Sequence, residues 1–171
     1  MKIRKNKGFT LIELIVTVTV MMVLMGIGSY SIGNFAKSRK NLGVRDELVS
    51  QIKLAINLSL TNQLPDQSVN LKFVRVIISG RNITVEGVKN DGSVVTGSPY
   101  FTKQISPDAD LSISVKNNTT TISSFGFAGK SGRLLNSDGT LTDGPIVINV
   151  TDGVNSNVFR INDLGIIDNE N

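Results

Sequence analysis

Any chemistry in this chain would fall to carboxylates, lysines and hydroxyls, because its 171 residues include neither cysteine nor histidine. That excludes disulfides, thiol catalysis and every cysteine-ligated zinc or iron–sulfur site. It also removes the usual general base and the commonest metal ligand, and most hydrolase triads go with them. The remaining groups do not converge. Asp108 and Asp110 are close in sequence, but no pocket residues surround them and they make no acid–base pair. Asn136-Ser137-Asp138-Gly139, followed by Asp143, places oxygen ligands beside a glycine. A calcium loop of the EF-hand kind would need a further acid where Leu134 stands and a glutamate downstream, so this reads as a hydrated turn. Gly129-Lys130-Ser131 lacks the earlier glycine and the strand-to-helix setting of a phosphate loop. No catalytic residue, cofactor or metal is expected.

One carboxylate stands apart. Glu13 is the only charged side chain in the 25 residues from Phe9 to Gly33, FTLIELIVTVTVMMVLMGIGSYSIG. At about 1.5 Å per residue this run could cross a hydrocarbon core of about 30 Å as a helix. A secretory signal would have a shorter apolar region, roughly 7–15 residues, and then a small-residue cleavage site. This run continues instead into a helical pattern. A carboxylate one turn inside such a span costs roughly 2.5 kcal/mol or more unless it is paired or neutralised. The plainer alternative is a carboxylate that stays hydrated near the interface.

The elements around Glu13 follow from periodicity. Residues 34–62 keep a helical repeat but become amphipathic, with Val44, Leu48, Ile52, Ala55, Ile56 and Ser59 on one stripe. Pro65 supplies a stop signal, and no proline interrupts 9–64, so one continuous helix of about 54 residues is predicted. Beyond Pro65 the period becomes two. Strand-like runs occur at 69–78, 82–88, 111–115, 119–127, 145–151 and 157–161, separated by turn clusters such as Asn90-Asp91-Gly92, Pro107-Asp108, Asn117-Asn118 and Asp152-Gly153. A sheet of about five to seven short strands is expected, one face of which receives the helix stripe.

The net charge of +4 belongs to the leader, where Lys2, Arg4, Lys5 and Lys7 stand without an acid; the rest of the chain has 14 basic and 14 acidic side chains. Four cations before the span favour a cytoplasmic amino terminus, although Lys37, Arg39 and Lys40 flank the other end.

The stretch Lys5-Asn6-Lys7-Gly8-Phe9-Thr10-Leu11-Ile12-Glu13-Leu14-Ile15-Val16 resembles the amino terminus of type IV prepilins and pseudopilins. The resemblance implies that Gly8 ends a cleaved leader, that a prepilin peptidase cuts between Gly8 and Phe9, and that the new terminal Phe9 is N-methylated. It further implies that Glu13, with Phe9 and Thr10, serves assembly. There Glu13 would pair with the Phe9 amine of its own or a neighbouring subunit as the chain leaves the membrane. Many family members have a proline near the end of the apolar half; this chain has Tyr30 there and none.

The head bears a looser resemblance. Ile122-Ser123-Ser124-Phe125-Gly126-Phe127-Ala128-Gly129-Lys130-Ser131-Gly132, then Gly144 to Val150, then Phe159 to Ile167, resemble H-type minor pseudopilins and FimT-like minor pilins. DNA-binding members of the latter have a basic motif after the last glycine, whereas here Gly165 precedes Ile166-Ile167-Asp168-Asn169-Glu170-Asn171. From Leu134 onward there are six acids and one base, Arg160, and phosphate contacts need clustered Lys or Arg. Lys116, Lys130 and Arg133, near Phe125 and Phe127, could form a weak nucleic-acid patch; scattered solvated charges around core phenylalanines is the plainer reading.

The expected architecture is α+β: a long N-terminal helix, transmembrane in its first half and amphipathic in its second, packed on a small, mostly antiparallel sheet. Its parts are a cleaved basic leader (1–8), a transmembrane or filament-core helix half (9–33), an amphipathic half (34–64) and a β-rich head (65–171). The resemblance implies a structural subunit of a pilus or of a type II secretion-like pseudopilus, not an enzyme. Its partners would be the prepilin peptidase, an assembly ATPase and inner-membrane platform protein, other pilins, and membrane lipid before assembly. It would sit in the cytoplasmic membrane with its amino terminus inside and head outside, then in a periplasmic or surface filament. A DNA-uptake or adhesive module is the alternative, as is a simple unprocessed single-span protein.

Overall fold

The computed structural model describes residues 9–61, 71–95, 97, 100–105 and 110–169, apart from the side chains of 28–31, 34 and 169. The leader with Gly8, Pro65, and the turn at Pro107-Asp108 lie outside the described residues. The element order is α1 (Leu11–Thr61), β1 (Leu71–Ser79), β2 (Asn82–Lys89), β3 (Phe101–Gln104), β4 (Ser112–Asn117), β5 (Thr120–Ile122), β6 (Ser124–Ala128), β7 (Leu134–Asn136), β8 (Ile146–Thr151), β9 (Ser156–Ile161) and β10 (Ile167–Asn169). The chain divides into two compact units, Met1–Arg39 and Lys40–Asn171.

The first unit holds the amino-terminal part of α1. Its apolar side chains are exposed all round, from Leu11 and Ile12 through Val16 and Met22 to Ile27 and Ile32. Polar groups within it are turned back onto the backbone: the Thr17 hydroxyl donates to the Glu13 and Leu14 carbonyls, and that of Thr19 to the Ile15 carbonyl. That satisfies each hydroxyl without water. Among the described residues no helix is long and apolar enough to cross a membrane. The expected transmembrane half is therefore not supported by the structure. Glu13, Thr17 and Thr19 interrupt the apolar surface of the first turns of α1.

The second unit is built on the helix stripe. Val44, Leu48, Ile52 and Ala55 recur at spacings of four, four and three, which keeps them on one face, and all are buried. Ser59 extends the stripe and is buried, while Ile56 beside it is only partly so. This face shares one core with Val74, Val76, Phe125 and Phe127 on one side and Ile146, Ile148, Phe159 and Ile161 on the other.

Those two sets belong to two sheets, not one. The first has the order β3-β2-β1-β6-β7 and the second β10-β9-β8-β4-β5. Every pairing is antiparallel. The expected single sheet is corrected by one residue above all. The run 119–127 breaks at Ser123, so that β5 closes the edge of the second sheet while β6 enters the first beside β1. The Ser123 carbonyl accepts from the Ile78 N–H at 2.7 Å, which ties the crossing point to the end of β1. The strands that periodicity did not announce, β3, β7 and β10, are three or four residues long and all lie at sheet edges. Such lengths are too short to establish a period of two.

Two contacts fix the helix stripe along the head. At one end the wholly buried Asn41 donates from Nδ2 to the Asn155 carbonyl at 2.9 Å. At the other, the Lys130 N–H donates to the Ser59 carbonyl at 2.8 Å.

Candidate assembly site at the start of the helix

Thr10 precedes the first helical residue, and Glu13 lies three positions on. The Thr10 N–H donates to Glu13 Oε2 at 3.0 Å, the Thr10 hydroxyl donates to the same oxygen at 2.8 Å, and the Glu13 N–H points at the Thr10 hydroxyl oxygen at 3.3 Å. This is a reciprocal capping box, in which the cap and the N3 side chain satisfy each other's free backbone donors. The Leu14 N–H closes the first turn on the Thr10 carbonyl at 3.2 Å. The signal was legible as Thr-x-x-Glu before an apolar run. A negative charge there also complements the positive end of the helix dipole.

The arrangement can do one thing chemically. It presents an anionic group at the end of a helix whose sides are otherwise apolar, next to Phe9, itself exposed. A carboxylate held back toward the amino terminus is placed to meet a cation there. Among the described residues no three His, Cys, Asp or Glu side chains gather into a group able to hold a metal.

Residues 3–29 match the prokaryotic N-terminal methylation motif. That motif is the type IV pilin and pseudopilin signature, and Phe9, Thr10 and Glu13 all fall inside it. The motif implies processing by a prepilin peptidase and assembly with other pilins as a structural subunit. No curated protein and no solved structure matches the chain.

The structure separates the other candidates. Lys116 is on β4 in the second sheet, whereas Lys130 and Arg133 flank the turn between β6 and β7 in the first; all three are exposed. Phe125 and Phe127 are fully buried and meet edge to face, with ring centres 5.7 Å apart. Neither ring is free to stack on a base. In the Asn136–Asp143 segment, Asp138 Oδ1 accepts from the Thr140 N–H at 2.9 Å and hydroxyl at 2.7 Å, while Asn136 Nδ2 donates to the Thr140 hydroxyl and the Leu141 carbonyl. Asp138 Oδ1 is thereby occupied within the turn, and Asn136 Oδ1 accepts from Asn117 Nδ2 at 3.2 Å.

One pairing was not anticipated. The Arg39 guanidinium lies over the Phe35 ring, 5.0 Å from its centre, with Phe35 exposed. An i, i+4 aromatic–Arg pair in a polar stretch has no distinctive sequence signature.

Proposed function

We propose that this chain is a type IV pilin-like structural subunit, either a minor pilin or a pseudopilin, made as a precursor and cut between Gly8 and Phe9. Phe9 is then N-methylated. The mature subunit rests in the cytoplasmic membrane through residues 9–33 with its head outside. An assembly ATPase and an inner-membrane platform protein draw it into a helical filament with sister pilins. Glu13 sets register by pairing with the amine of Phe9.

The observation that carries this reading is the Thr10–Glu13 box, inside the methylation motif, at the head of a helix whose apolar side chains are exposed all round. Apolar exposure of that extent requires a cover, and lipid first and other helices later would each provide it. The mechanism is then assembly: hydrophobic helices bundle, one carboxylate and one amine neutralise each other, and the head stays outside.

The test is to shear surface filaments from the native host and determine the amount and amino terminus of this chain by mass spectrometry. Chain beginning at methylated Phe9 is expected. Trace amounts in filaments identify a minor pilin, and processed chain confined to membranes identifies a pseudopilin. Chain that retains Met1–Gly8 everywhere would overturn the proposal.

A further inference from the structure

At the far end of the first unit the character of α1 changes within a few residues. Ile32 and Phe35 are exposed apolar side chains, and Lys37 and Arg39 are exposed cations. Arg39 is held over the Phe35 face at 5.0 Å. No acid occurs in the sequence between Glu13 and Asp46. An aromatic ring capped by a guanidinium, beside a lysine, has an apolar body and a cationic rim. That is the chemistry of a boundary between hydrocarbon and phosphate, where long basic side chains keep their stems in the apolar phase and their charges in the headgroups.

The spacing gives this rim a counterpart. From Glu13 to Lys37 is about 24 residues, or 36 Å along a helix, between the hydrocarbon thickness of about 30 Å and the 40–45 Å that includes the headgroups. A helix hung from Lys37 and Arg39 at the phosphates of one leaflet delivers Glu13 to the opposite interface and not to the bilayer centre. The carboxylate and its Thr10 cap then meet water.

We propose that Phe35, Lys37 and Arg39 form a collar that binds anionic lipid phosphates on the head side of the membrane and sets the depth of the helix, so that Glu13 lies at the opposite interface. The inference rests on the membrane residence proposed above. The ligand is the lipid phosphate, recognised by charge and by the adjoining hydrocarbon.

The test uses the full chain. It has no cysteine, so Ile32→Cys provides a unique spin-label position, reconstituted in vesicles of phosphatidylcholine alone or mixed with phosphatidylglycerol. Label depth is read by collision with oxygen and with a water-soluble nickel complex. In the parent the anionic lipid should fix the label at a distinct depth. In K37Q/R39Q that lipid dependence should vanish and the label should move by at least about 1.5 Å, one residue's rise. K116Q/K130Q, which removes equal charge from the head, should behave as the parent. Equal depth in parent and K37Q/R39Q overturns the collar, and so does an equal shift in the head control. Retention of DNA by the parent that K37Q/R39Q loses assigns the cations to nucleic acid and also overturns it. A parent that fails to insert into either vesicle defeats the membrane reading itself, which is a separate result.

Discussion

The Glu13 carboxylate accepts from the Thr10 N–H and from the Thr10 hydroxyl through one and the same oxygen, Oε2. The group proposed to pair with the Phe9 amine in assembly is thus also the group that starts the helix. Two demands fall on one side chain, and they differ chemically: capping needs an acceptor, while pairing with an amine needs a charge.

Substitution should separate the two. Glu13→Gln keeps an acceptor at the cap and removes the charge, so the first helical turn should persist while filament yield collapses. Thr10→Val removes the cap hydroxyl and should cost about 1 kcal/mol at the helix start. Amide hydrogen exchange over Leu11–Leu14 in the detergent-solubilised chain reads the first effect, and sheared-filament yield the second. Loss of both readouts in Glu13→Gln would show that the charge is part of the cap.

The helix stripe makes a quantitative contrast. Leu48 is fully buried in the core to which both sheets contribute, whereas Leu54 is 44% exposed. Leu48→Ala should lower stability by about 2–5 kcal/mol through lost burial and a residual cavity. Leu54→Ala should stay within about 1 kcal/mol. Denaturant titration of the full chain in detergent, followed by circular dichroism, distinguishes them.

What could be foreseen divides along physical lines. The stripe from Val44 to Ser59 was legible because burial on one side of a helix imposes a repeat of three and four, and its members do face the core. The strands β1, β2, β4, β8 and β9 were legible for the analogous reason. The split at Ser123 was not, since a small polar residue in an extended run carries no mark of which neighbour its two sides will find. Edge strands such as β3 and β10 are defined by the partner they pair with more than by their own pattern. At the helix start, Phe9 and Glu13 were legible from the motif. The role of Thr10 as a cap was written in its spacing from Glu13, and the Arg39–Phe35 stack was visible only in three dimensions.

Backbone geometry supplies another expectation. Gly165 has φ +77, in the left-handed region, and a methyl group there would collide with the Gly132 carbonyl oxygen. That contact joins the β9–β10 turn to the turn between β6 and β7. Gly165→Ala should therefore combine conformational strain with backbone collision and destabilise the head by about 1–3 kcal/mol or more. Gly153, at φ +86 with open space around it, provides the control. Gly153→Ala bears the strain alone and should cost less. Equal losses in thermal melts of the two variants would show that the carbonyl gives way.

The last expectation concerns acid. Asp152 accepts from the Asn155 N–H at 2.6 Å, the Val154 N–H at 2.9 Å and Asn155 Nδ2 at 3.1 Å. These bonds, those from Asn155 foremost, lower its pKa from an ordinary 3.8 to about 2. The turn it holds presents the Asn155 carbonyl to the buried Asn41. Asp91 and Asp138 are lowered in the same direction, by bonds from Ser93 and Thr140 respectively. A carboxylate whose folded pKa is depressed binds its proton more weakly in the folded state, so the stability it contributes is complete above the unfolded value and disappears as pH falls through the folded one. Head stability should accordingly decline between about pH 4 and pH 2, the window set by the Asp152 shift. Asp152→Asn should flatten that decline and lower the neutral-pH plateau, because its amide cannot accept at both oxygens. Asn41→Ala should lower the plateau by about 0.5–1.5 kcal/mol, through loss of the Nδ2 bond to the Asn155 carbonyl, which still accepts from the Asp152 N–H at 3.2 Å, and leave the slope unchanged. Melting temperature measured at intervals across that range in the parent and both variants reads plateau and slope together. An unchanged slope in Asp152→Asn would transfer the acid sensitivity to Asp91 and Asp138.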